Sequence, residues 1–248
     1  MTRLCCQFCG VRFVKTQRKI SMRFRPKDVT ASVLIMLSLA GCQKNTGTAQ
    51  TQTQIPQTQS VSPPAKPLAY EGPFGLKMGL SIEVTKALIS GLSKVEQSDW
   101  IFRTDRVPIP HPDFDSYLLN FSQKYGLCSI SAFGKDIKSG DSGFEIKSAF
   151  NSLDESISKK YGIGKKYDYA TSKYDSPEYW MMYLLKKNRT LAKFWDKDSG
   201  SNLLNNLSAI SLEAKASNMS TGYLIMTYEF ENMVDCIAES KAEKNKGL

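Results

Sequence analysis

The chain has 248 residues, 41% of them hydrophobic and 23% charged, enough for the core of one domain or two small ones. Its formal net charge of +9 would suggest nucleic acid or an acidic surface, but residues 1–42 hold eight of the 33 bases and one of the 24 acids. The remaining 25 bases and 23 acids stand near +2, so no nucleic-acid partner is expected, and Lys159-Lys160, Lys165-Lys166 and Lys186-Lys187 read as solvated faces.

The first element is a leader. Val29–Leu39 is an apolar run of about eleven residues, where a spanning helix needs roughly twenty, so it reads as a signal-peptide core. Arg23, Arg25 and Lys27 precede it, and the small residues Ala40 and Gly41 follow. The run Leu39-Ala40-Gly41-Cys42 resembles the lipobox of bacterial lipoproteins. That resemblance implies cleavage before Cys42 and a diacylglyceryl group on its sulfur, usually followed by N-acylation. Gln43 stands where the enteric inner-membrane retention signal has Asp, so the periplasmic leaflet of the outer membrane is the expected address rather than the inner membrane. Residues 1–41 are therefore expected to be leader, with 22–41 as the signal peptide and 1–21 as an over-extended start. Cys5, Cys6 and Cys9 are half a zinc site with no second pair, and no metal is expected.

Residues 42–67 are expected to be the cysteine that the resemblance marks for lipidation and a low-complexity tether, rich in Thr, Gln, Ser and Pro from Gln43 to Pro67. As a flexible coil it would span roughly 30 Å. The globular region is expected over 68–248.

Ser81 is a candidate N-cap for a helix whose apolar positions run from Val84 to Val95. Trp100–Val107 reads as a strand, stopped by Pro108 and Pro110. Tyr117–Ser122 and Leu127–Phe133 read as a hairpin, with Cys128, Ile130 and Ala132 on one inward face. Between Gly143 and Gly162, Ile146, Phe150, Leu153, Ile157 and Tyr161 make a helical stripe. Pro177 opens a third, short helix through Leu185, and Thr190–Trp195 reads as a strand. Ile210, Leu212, Ala214 and Ala216 alternate with polar residues, and Tyr223–Phe230 returns. A helix over 232–244 ends the chain, with Met233, Cys236 and Ile237 on its apolar side. The order predicts an α+β fold of antiparallel sheet and packed helices, either as two similar helix–strand–hairpin–helix halves, 68–165 and 166–248, or as a single domain. Cys128 and Cys236 are the cysteines left beside Cys42. In an oxidising compartment they form either a disulfide or two buried thiols.

Catalytic tools are few. His111 is the sole histidine, set between Pro110 and Pro112 with Asp113 and Asp115 beyond, an incomplete site for metal or acid–base work. No serine lies in a G-x-S-x-G elbow. Gly162-Ile163-Gly164-Lys165-Lys166 lacks the upstream Gly and the following Ser or Thr of a phosphate loop. Asp154 and Glu155 fall on the polar side of their helix. Trp180, Tyr183, Trp195, Tyr223, Tyr228 and Phe230 read mainly as core, with a minority available for protein contact.

Gly72-Pro73-Phe74-Gly75-Leu76-Lys77-Met78-Gly79-Leu80-Ser81, then Val84, resembles the helix start of BamE/SmpA-like outer-membrane lipoproteins. This implies a helix-and-sheet module for protein contact at the envelope. The expectation is thus a non-enzymatic, membrane-anchored lipoprotein that binds an envelope protein or component, with no cofactor. The alternatives are an inhibitor or phage-exclusion lipoprotein, and an envelope hydrolase acting on cell wall or lipid.

Overall fold

A computed structural model describes residues 69–96, 98–171 and 176–246. Leu39, Ala40, Gly41 and Cys42, the expected lipobox, lie outside them, as do the expected leader and tether. The described part is an α+β fold built on one antiparallel sheet. Its strands are β1 (Ser93–Lys94), β2 (Ile101–Thr104), β3 (Phe114–Ser122), β4 (Gly126–Gly134), β5 (Ile137–Lys138), β6 (Lys165–Ala170), β7 (Arg189–Asp196), β8 (Leu207–Asn218) and β9 (Thr221–Phe230). The helices are α1 (Ile82–Leu88), α2 (Phe144–Tyr161), α3 (Trp180–Leu185) and α4 (Met233–Asn245).

The spatial order is β1-β2-β3-β4-β9-β8-β7-β6, with β5 also on β9. Strands β2-β3-β4 on one side of the β4–β9 pair are mirrored by β7-β8-β9 on the other. Both stretches that read as similar halves therefore lie in a single sheet.

Alternation along the strands puts large apolar residues on one face. The register lines up Phe102, Leu119, Ile130, Tyr228, Ile210 and Trp195 across six strands, each at most 7% exposed. Burial of one such side chain contributes about 1.5–3 kcal/mol, so the row anchors the core. Desolvation pushes the Tyr228 hydroxyl far above its ordinary pKa.

The segment leading into α1 covers the β2–β4 end of this face, where Phe74 meets Phe114, Tyr117 and Tyr228 edge to face. The Ser81 hydroxyl accepts from the Val84 N–H at 3.2 Å and caps α1. The helix ends earlier than its apolar pattern: Ile89 is already extended and Gly91 turns with φ 83°. Ile146, Phe150, Leu153 and Tyr161 bury the stripe of α2, against β8 and β9. Gly143 at its start has φ 69°, and an added Cβ would lie 2.0 Å from the Trp180 ring, so only glycine fits there. Trp195 ties down the far end by donating its indole N–H to the Gly162 carbonyl at 3.1 Å.

Helix α4 is different. Of its residues only Cys236 is buried, and none of them belongs to the core cluster. Met233 is half-buried, while Ile237 is 42% exposed, so the expected apolar side is largely in solvent. The helix sits on the opposite face of the sheet, at the β3–β4 turn. A bulge explains this: Asn120 pairs with Ser129 but Phe121 with Leu127, leaving Cys128 as an extra residue. Leu127 takes the inward place, and Cys128 does not share the face of Ile130 and Ala132. It is bonded to Cys236 across 108 residues of sequence.

Candidate functional site

Four of the structural layers (the 70–80 segment, α1, α2 and α3) cover one face of the sheet. Among the described residues the other face carries α4 alone, at one end. The register arranges its side chains in rows. One row runs Leu118, Ser131, Thr227, Ser211, Phe194 and Lys165 across β3, β4, β9, β8, β7 and β6. The next runs Ser116, Phe133, Ile225, Glu213, Ala192 and Tyr167. Tyr223 and Lys215 follow.

Small hydroxyls thus form a low central strip, where Ser131 and Thr227 hydrogen-bond at 3.0 Å. Phe133 and Ile225 make an apolar pair beside it, and Tyr167 and Phe194 stack edge to face at the β6 side. These residues are mostly half-buried, as side chains on an uncovered sheet are. Chemically the face offers an apolar pair, a band of hydrogen-bonding hydroxyls and aromatic edges, and of these the aromatic residues are the kind enriched at protein contacts.

Toward α4 the face becomes polar and enclosed. Ser129 is buried and opposes Glu229, whose carboxyl is held above its ordinary pKa by desolvation. The Asn232 amide donates to the carbonyls of Tyr125 and Leu127 at 2.9 and 3.0 Å. Glu239 accepts from the Ser122 hydroxyl and, at 3.2 Å, from the Lys124 N–H. With the Cys128–Cys236 bond, these contacts fasten α4.

On the core side, a cleft of about 270 Å³ opens beside α2, floored by Phe114, Leu153 and Leu224 and rimmed by Asp113, Lys135 and Ser152. His111 lies near it on an exposed loop: its Nδ1 accepts from the Asp113 N–H at 3.3 Å and stands 3.8 Å from that carboxylate. Asp115 is exposed. Among the described residues no three His, Cys, Asp or Glu gather as a metal site, and no helix is long and apolar enough to cross a membrane.

Asp154 departs from expectation. It does not face open solvent but bonds Lys193 of β7 beneath α2, the two side chains 16% and 12% exposed. Glu155 beside it is exposed. Trp180, Trp195, Tyr228 and Phe230 are core, whereas Tyr223 stands on the open face. Glycines 162 and 164 serve the turn from α2 into β6, not a phosphate.

No protein-family model, curated protein or solved structure matches the chain. The α+β class and the one-sided covering of the sheet therefore define the protein by its own geometry.

Proposed function

We propose that the chain is a non-catalytic bacterial envelope lipoprotein, anchored through lipid on Cys42, whose α+β domain binds a protein partner through the face of the sheet opposite the core. The observation that carries the anchor is the run Leu39-Ala40-Gly41-Cys42 after an apolar stretch of signal-peptide length. Two acyl chains at that cysteine make release negligible, whereas one gives only marginal binding. The Cys128–Cys236 bond supports an oxidising compartment such as the periplasm. The outer membrane is the proposed address, from Gln43 after the cysteine.

The open face supports the binding role, because it exposes contiguous apolar and hydroxyl side chains that no element of the described chain covers. A photo-crosslinking residue at Ile225, against a control at Lys159 on the solvent side of α2, tests it in intact cells. Capture of one defined envelope protein from position 225, and not from 159, is the expected result. Equal or absent capture at both positions would sink the reading.

A further inference from the structure

The sheet ends at β1, two residues long, and at β6, six residues long, and among the described residues nothing pairs with the outer edge of β6. The Thr171 N–H donates to the Asn188 carbonyl at 2.8 Å, continuing the β6–β7 ladder. Odd-numbered residues therefore bond to β7. The even ones, Lys166, Asp168 and Ala170, turn their N–H and C=O groups to the free edge. A free edge of this length is a template for another strand, and lysines on it normally discourage pairing.

Here the lysine has its counter-charge built in. Lys166 and Asp168 are two residues apart, on the same side of the sheet, and both are exposed. We propose that the chain forms a two-fold symmetric dimer by antiparallel pairing of β6 with β6 of a second copy, centred on Tyr167.

In that register Lys166 opposes the partner's Asp168 as a hydrogen-bonded pair, and Asp168 opposes the partner's Lys166. The outward amides of both residues are satisfied, and two cross-strand ion pairs form on the core side. Asp168 already accepts from Arg189 at 2.7 Å, which fixes its carboxylate while leaving it 40% exposed. On the other side the two Tyr167 rings meet at the axis, and each Lys165 faces the partner's Tyr169, a cation opposite an aromatic ring. A one-residue slip would put Lys166 side chains on the wrong face, and a two-residue slip would oppose like charges, so this register is the self-complementary one. The faces opposite the core in the two copies then continue into each other through Tyr167 and Phe194.

The full chain carrying Tyr167→Cys tests this in oxidising conditions. Opposed non-hydrogen-bonded residues have Cα atoms about 4.5 Å apart, within disulfide reach. Tyr167→Cys should give a disulfide dimer that the parent chain does not. Tyr169→Cys should give none, because two copies of that residue stand roughly 13 Å apart along the strand. Light scattering of the unsubstituted chain in mild detergent should report a dimer, and Lys166→Asp, which opposes two acid pairs, should weaken association about tenfold or more. Crosslinking of Tyr169→Cys as strong as that of Tyr167→Cys, or a monomeric unsubstituted chain, would overturn the proposal.

Discussion

The joining of α4 to the sheet yields the sharpest stability prediction. Replacing both Cys128 and Cys236 with Ser removes a crosslink across 108 residues, which in the chain-entropy treatment stabilises the folded state by about 4.7 kcal/mol. Native packing replaces little of this, because α4 buries only Cys236. What remains is the Asn232 amide on two carbonyls and the Glu239 carboxylate on Ser122 and Lys124. Such bonds contribute about 1 kcal/mol each when neutral and about 1.5–3 when charged. A helix of 13 residues is marginal on its own, so α4 should fray once unlinked. Denaturant unfolding should show a loss of about 3–5 kcal/mol, and hydrogen exchange should rise over 233–245 well beyond its rise in β8 and β9. Unchanged protection in α4 together with a loss under about 1 kcal/mol would mean that the disulfide is not what holds α4.

Asp154, Gly143 and Glu229 each give a further expected outcome. Asp154→Ala leaves the Lys193 charge without its carboxylate beneath α2 and should cost about 3 kcal/mol in chemical unfolding. The double change Asp154→Leu with Lys193→Met should recover most of that loss. Gly143→Ala forces a left-handed φ on alanine and drives its methyl into the Trp180 ring, for a cost of about 3 kcal/mol read as a lowered Tm. Burial holds the Glu229 carboxyl above its ordinary value, so the folded state binds that proton more tightly than the unfolded state. The resulting stabilisation is present below the unfolded-state pKa and is lost as pH rises through the folded value. Glu229→Gln should therefore raise Tm at pH 7 and leave it unchanged at pH 3; an equal rise at both would contradict the assignment.

Where one residue's neighbours in sequence set its environment, the structure could be read from the chain. The alternation from Ile210 to Ala216, the return from Tyr223 to Phe230 and the stripe of α2 all depend on local period, and all appear. Strand β6 was hidden because Lys165-Lys166-Tyr167-Asp168-Tyr169-Ala170 is an edge, wet on both sides, with no apolar alternation to mark it. The side of Cys128 depends on one extra residue in a bulge, which period-two counting cannot register. Asp154 looked solvated because its partner, Lys193, lies 39 residues away. The open face was illegible for the same reason: its rows exist only once five strand registers are fixed, although the hydroxyl residues Ser131, Ser211 and Thr227 stood in plain view as the polar halves of their strands.

The proposed anchor underlies the proposed location, compartment and binding role. Mass spectrometry of the mature N-terminus tests it most directly. The expected product begins at Cys42 and carries a diacylglyceryl group with an N-linked acyl chain. An unmodified Cys42, or a mature protein that retains residues before it, would rule out the proposed anchor.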